Sequence, residues 1–136
     1  MHRERNNRST PIALPARIGG TATLLLTASL AWASVVEIAW DDNGGFQHEA
    51  ELGAGAFAEV CGALSREEQV QWTFEASAAL DFNIHYHEGD EVVYPEELAG
   101  SARGAGVLVA PVDQTYCWMW TSGQSSPATV TLQLSH

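Results

Sequence analysis

The sequence predicts an all-β domain, an antiparallel β-sandwich of about seven to eight short strands with a jelly-roll-like character. Three observations predict it. Residues 80–86 alternate apolar and polar side chains, as a strand with one buried face does. Residues 68–76 and 128–134 repeat that alternation. Turn residues separate these short runs at intervals of roughly ten residues, which is typical of a sandwich or barrel.

The remaining elements follow in chain order. We expect further strands over residues 34–40, 91–94, 104–111 and 116–120. Residues 46–63 are rich in Ala and Gly, which favours an edge strand or a meandering arm. Residues 96–103 begin with two acids and continue with mostly small residues, a composition that predicts a surface loop. The Asp41-Asp42-Asn43-Gly44-Gly45 cluster is typical of a turn; a calcium loop is less favoured because the distal Glu of an EF-hand is missing.

The N-terminus has the parts of a secretory signal peptide. A leader with four Arg and no Lys precedes the apolar run TATLLLTASL, which ends in Ala31-Trp32-Ala33. We expect cleavage after Ala33, which leaves one domain over residues 34–136 in the periplasm or outside the cell. The alternative is an uncleaved membrane anchor, since apolar residues continue to Trp40, but Glu37 interrupts them. Membrane contact is expected only in that second case.

The charge of the chain restricts its partners. Without residues 1–33, Arg66 and Arg103 are the only Lys or Arg residues, against 16 of the 17 acids (all but Glu4), which is a formal charge of −14. Such a chain will not bind nucleic acid or an anionic membrane surface electrostatically. It could attract cations or a basic partner, although the charge could also serve solubility alone.

Cys61 and Cys117 are the two cysteines of the chain. In an exported protein an even pair predicts a disulfide. Closing so long a loop would stabilise the fold by about 4 kcal/mol in the loop-entropy description.

The order of these elements resembles that of the GOLD domain of the emp24/p24 cargo proteins. The matching features cover roughly residues 59–136: Cys61, the Trp72-x-Phe74 strand, the Leu80–Ile84 strand, Tyr116 after a turn, and the closing strand Val130–Leu134. The resemblance implies a GOLD-like core over 59–136, an N-terminal arm over 34–58, and a role in protein or ligand interaction. This sequence departs from the family where Cys117 directly follows Tyr116 and where Ser122 replaces an asparagine.

His85 and His87 are the most specific candidates for chemistry. Alternate residues of a strand share a face, which places the two imidazoles about 7 Å apart along the chain. Such a pair can chelate Cu or Zn, with His48 or a nearby carboxylate such as Glu88 or Asp90 as a third ligand. The alternative is an accidental H-x-H on an exposed strand face.

Tyr116, Trp118 and Trp120 form a second constellation. If Cys117 and Met119 face the core, these aromatics line the opposite face and would form a binding surface. Alternatively, another strand or the N-terminal arm covers them, because an uninterrupted apolar strand is often buried on both faces.

No catalytic residues are predicted. The serines lie outside a G-x-S-x-G elbow, and no nucleophile, base and orienting group can be assembled. A blue-copper site is excluded by the spacing of Cys117 and Met119, between which no histidine lies. We therefore expect an exported, non-catalytic binding module for an unknown protein or small ligand; the alternative is a small periplasmic Cu- or Zn-binding protein that uses His85 and His87.

Overall fold

The computed structural model describes residues 34–123 and 127–136, so the predicted signal peptide, 1–33, lies outside the described residues. These residues form seven strands and no helix, which confirms the predicted all-β sandwich class. The strands are β1 (Ser34–Glu37), β2 (Gly45–Leu52), β3 (Phe57–Leu64), β4 (Gln69–Glu88), β5 (Glu91–Val109), β6 (Gln114–Thr121) and β7 (Ala128–Ser135). Within the described ranges, no helix is long and apolar enough to cross a membrane.

A long hairpin, β4–β5, holds the two halves of the sandwich together. The first part of β4 pairs with β7, and β7 pairs with β2. The second part of β4 pairs with β6, and β3 and β1 follow. We call these the β7 half and the β6 half. β4 changes partner where its register with β5 shifts, between Glu75 and Leu80. Bulges of this kind bend a strand, so one strand can serve both halves.

The core lies between the two halves and uses the even-numbered side chains of β4. Val70, Trp72 and Phe74 point inward from the first part and Leu80, Phe82 and Ile84 from the second, each at most 2% exposed. Aromatic rings are in contact across the interior, with the Phe74 and Phe82 centroids 4.7 Å apart. The alternation visible in the sequence is therefore the core pattern of a single strand, which buries apolar area from both halves.

Glycines of β5 allow the large rings of β4 to fit. A Cβ on Gly106 would lie 2.7 Å from a carbon of the Trp72 ring, and one on Gly104 would lie 2.5 Å from a carbon of the Phe74 ring. Trp72 is paired with Gly106, and Phe74 with Gly104. The rings therefore extend over the β5 backbone, where any larger residue would collide with them.

Several predictions of local structure were wrong. Residues 96–103 belong to β5 and are not a surface loop. They lack the alternation of apolar side chains that would have predicted a strand, because β5 is an edge strand and is largely exposed. Residues 46–63 contain most of β2, which is an edge strand as expected, and most of β3, which is instead an interior strand between β1 and β6. Residue 58, the expected boundary between arm and core, lies inside β3. β1 pairs with β3 in parallel, whereas an antiparallel sheet was expected throughout.

Candidate functional site

The outer face of the β6 half carries the polar side chains of interest in two rows. In the first row, Cys61 of β3 is paired with Cys117 of β6, which is paired with His85 of β4. In the second row, Glu59, Met119 and Asn83 occupy the corresponding positions on the same strands. We call this surface, with His87, the histidine face. The rows form because odd-numbered residues of all three strands point away from the core.

His85 is held between two acceptors. Its Nδ1 lies 2.8 Å from Oδ1 of Asn83, and its Nε2 lies 3.3 Å from Oε1 of Glu59 across β6. Although the sequence placed this histidine on a solvent-exposed face, it is only 6% exposed. Tyr94, which the bulge in β5 places beside it, covers part of the ring, with centroids 5.9 Å apart.

Burial favours the neutral form of the His85 ring. Desolvation lowers its pKa, nearby Glu59 opposes that effect, and His87 adds to it. The contact with Glu59 would favour the charged ring, but the desolvation effect is larger. A neutral ring that donates its Nδ1 proton to Asn83 directs the lone pair of Nε2 toward the Glu59 carboxylate. Two electron-pair donors that face each other in this way are suited to share a cation.

The three histidines expected to act together are only partly brought together. His85 and His87 share the histidine face, and their ring centroids are 5.4 Å apart. His48 lies on β2 in the β7 half, where it stacks beside Phe46 with centroids 6.3 Å apart. It takes the inward-facing side of its strand, so the expectation that it completes a site with His85 was wrong.

Cys61 and Cys117 form the expected disulfide. Since the two residues are direct partners on neighbouring strands, the bond lies flat across the β3–β6 pair on the histidine face. One ligand atom each of Glu59, His85 and Cys117 lies within 4.8 Å of the others. In the disulfide form, however, the sulfur of Cys117 is not a thiolate and is a poor metal ligand.

The aromatic stripe of β6 lies in the core. Tyr116, Trp118 and Trp120 are each 0% exposed, whereas Cys117 and Met119 take the outer face. The Tyr116 hydroxyl donates to the carbonyl of Val112 at 2.8 Å, and burial raises its pKa. These residues are therefore not a binding surface. The rings are the largest side chains of the strand, and the interior of the sandwich is where the greatest apolar area is removed from water.

Glu59 and Tyr94 belong to the histidine face and its surroundings but were not predicted from the sequence. Glu59 precedes Cys61 by two residues, so strand periodicity would have placed it on the histidine face, had the Ala- and Gly-rich segment been recognised as an interior strand. Tyr94 could not have been found by periodicity, because the β5 bulge opposite His85 decides its position.

A second surface feature is the tip of the β4–β5 hairpin, residues 88–97, which we call the acidic tip. Glu88 pairs with Glu91 around a two-residue turn that requires a positive φ at Gly89. Val92 and Tyr94 are 39% and 48% exposed. Five carboxylates and no base accompany them, namely Glu88, Asp90, Glu91, Glu96 and Glu97.

No protein-family model matches the chain, and no curated protein matches it. Solved structures do share its fold. One is a periplasmic lysozyme inhibitor of g-type lysozyme from Aeromonas hydrophila, with 12% identity, a TM-score of 0.57, and coverage of 76% of this chain and 96% of that one. Another is the pre-peptidase C-terminal domain of a collagenase from Bacillus anthracis, with 9% identity, a TM-score of 0.54, and coverage of 77% and 96%.

A third, a periplasmic inhibitor of g-type lysozyme from Salmonella Typhimurium, has 10% identity, a TM-score of 0.51, and coverage of 75% of this chain and 96% of that one. These similarities overturn the resemblance to the GOLD domain, which was wrong. The alternating strands on which it depended are common to β-sandwiches of many families.

Proposed function

We propose that this chain is an exported, non-catalytic module that binds a basic protein partner through the acidic tip. The observation that carries the proposal is the composition of the tip: two exposed apolar side chains, Val92 and Tyr94, surrounded by five carboxylates. An aromatic side chain at the centre of a charged rim is a common arrangement in protein interfaces. The disulfide is in keeping with an oxidising compartment.

The nature of the partner is suggested by charge. The described residues contain two bases, Arg66 and Arg103, neither of them in the acidic tip, so long-range attraction favours a positively charged surface. Two of the structural neighbours are periplasmic inhibitors of g-type lysozyme. This makes a g-type lysozyme the first partner to test.

The test is calorimetric titration of the protein with a g-type lysozyme, together with an assay of lysozyme activity. We expect binding that weakens with added salt, because the tip is acidic and the proposed partner surface is basic. Tyr94→Ala should weaken binding about tenfold or more, the loss typical of an aromatic anchor. The matched control is Val107→Ala, which truncates an exposed residue of the same strand outside the tip and should leave the affinity unchanged.

Two results would contradict the proposal. In one, Tyr94→Ala and Val107→Ala weaken binding equally. In the other, the affinity is insensitive both to salt and to Glu96→Gln with Glu97→Gln. A lysozyme that neither binds nor is inhibited would remove this enzyme class as the partner.

A second candidate function is transition-metal binding on the histidine face. It is favoured by the proximity of His85 and His87 and by the Glu59 carboxylate at Nε2 of His85. Titration of the disulfide form with Cu(II) and Zn(II), repeated with both histidines changed to Ala, tests it. Stoichiometric binding that the double variant abolishes is the expected result, and binding unaffected by the double variant would contradict it.

A further inference from the structure

We propose that the histidine face is a zinc site that opens when the Cys61–Cys117 disulfide is reduced, with Glu59, His85, Cys117 and Cys61 as ligands. The inference deepens the second candidate function, on which it rests, because it names the ligands and the condition that assembles them. It replaces the His85–His87 pair by a set drawn from three neighbouring strands.

Three of the proposed ligands lie close together in the folded protein. Ligand atoms of Glu59, His85 and Cys117 lie within 4.8 Å of one another, a span that one ion can bridge after small side-chain rotations. Zinc–sulfur distances near 2.3 Å and zinc–nitrogen or zinc–oxygen distances near 2.0–2.2 Å place the ligand atoms of a tetrahedral zinc about 3.4–3.8 Å apart, so the three side chains must approach one another by up to about 1 Å. The three residues come from β3, β4 and β6, so the pairing of the strands holds them together.

Cys61 is the proposed fourth ligand. The Sγ of Cys61 is bonded to that of Cys117, so after reduction it stays beside the cluster and can supply a further donor once its side chain rotates. Two thiolates, one imidazole and one carboxylate provide four donors, the number that tetrahedral zinc takes in structural sites. Zinc accepts sulfur, nitrogen and oxygen ligands, whereas calcium and magnesium prefer oxygen alone.

A hydrogen bond with Asn83 orients the His85 ring. Asn83 accepts from Nδ1, which leaves Nε2 as the metal-binding nitrogen, aimed at Glu59. A hydrogen bond to the other ring nitrogen is the usual way in which proteins orient a ligating histidine. His87 lies on the same face but outside this cluster.

The chemistry of opening is a thiol–disulfide exchange with a dithiol reductant. The dithiol gives two electrons and two protons to the Cys61–Cys117 bond, which breaks into two thiols while the dithiol becomes a disulfide. Zn²⁺ then binds both sulfurs and releases their two protons. The reverse exchange uses the disulfide form of the same dithiol, which takes the two electrons from the two sulfurs and two protons from water; the Cys61–Cys117 bond forms again and the ion is released.

The experiment compares zinc affinity in the two redox forms of the full-length protein. The protein is reduced with dithiothreitol, freed of the reductant under nitrogen, and titrated with Zn(II) against a chromophoric chelator. We expect one zinc per reduced chain, bound at least about 100-fold more tightly than by the disulfide form. Cobalt(II) substituted for zinc should show a thiolate-to-cobalt charge-transfer band, which reports the sulfur ligands directly.

Variants then test the ligand set. His85→Gln and Glu59→Gln should each weaken zinc binding about tenfold or more, whereas His48→Gln, the matched control in the β7 half, should not. Near-ultraviolet circular dichroism of each reduced variant shows whether the sheet is intact.

Four results would overturn the proposal. They are equal affinity in both redox forms, equal losses for His85→Gln and His48→Gln, zinc bound with no charge-transfer band for cobalt, and a reduced protein that stays unfolded with zinc present. Equal affinity with a loss in the double histidine variant would leave the second candidate function standing and remove only the redox-opened site.

Discussion

At the scale of single residues, His85 shows how burial changes the chemistry of a side chain. Strand periodicity correctly assigned it to the outer face, which is ordinarily the solvated one. Neighbours from three other strands, Glu59, Cys117 and Tyr94, nevertheless enclose the ring. A histidine that the sequence presents as a surface residue is therefore the most enclosed polar group on the histidine face.

His85 should make stability depend on pH in a definite direction. Its pKa is lowered from the ordinary value of 6.5 in the folded state, chiefly by desolvation. The unfolded chain therefore takes up the proton first, so the contribution of this group is complete above about pH 6.5 and is lost as the pH falls through the lower folded pKa.

Urea unfolding of the disulfide form between about pH 8 and about pH 5, with a chelator present, measures this dependence. His85→Gln should show a smaller loss of unfolding free energy over that interval than the unchanged protein. His87→Gln is the control, since that ring is exposed. An equal loss in the unchanged protein and in His85→Gln would refute the assignment.

At the scale of elements, the β4–β5 hairpin depends on a fit between large aromatic side chains on one strand and glycines on the other. Trp72 and Phe74 of β4 are paired with Gly106 and Gly104 of β5, and their rings lie over these glycines. Glycine weakens most strands, so its presence here is explained only by the rings that cover it.

Gly106→Ala should therefore destabilise the protein by about 1–3 kcal/mol, the usual cost of overpacking. In an open strand position the same change would be neutral or stabilising. The control is Gly123→Ala, where an added Cβ meets no atom within 4 Å. Urea unfolding of both variants checks the prediction, and a Gly106→Ala protein as stable as the control would show that the Trp72 ring can move aside.

At the scale of the whole molecule, the disulfide closes a loop across the β6 half. The cysteines are 56 residues apart, and the loop between them contains all of β4 and β5. A crosslink of this span restricts the unfolded chain strongly, while in the folded protein it joins residues that the sheet already pairs.

Reduction without metal should lower the free energy of unfolding by about 4 kcal/mol. Unfolding by urea with and without a phosphine reductant, both with a chelator present, measures the difference. The variant with both cysteines changed to Ser should match the reduced protein and not respond to reductant. A decrease in the free energy of unfolding well below about 1 kcal/mol would mean that the unfolded chain is already restricted without the disulfide.

Much of the fold could be predicted because the relevant signals are local. Period-2 alternation at Val70–Phe74 and Leu80–Ile84 depends only on which side of a strand each residue takes, and the turn at Gly89 depends on its own backbone. The Ala- and Gly-rich β3 and the acidic part of β5 could not be predicted, because their strand pairing depends on distant partners.

The sequence by itself determined the all-β class, the inward face of β4, the pairing of Cys61 with Cys117 and the common face of His85 and His87. Only the tertiary structure decided that Trp118 and Trp120 fill the core and that Glu59 meets His85 across β6. It also decided that His48 belongs to the other half. The physical reason is that alternation assigns a residue to a face, whereas the pairing order and register of strands, which long-range packing sets, decide what that face meets.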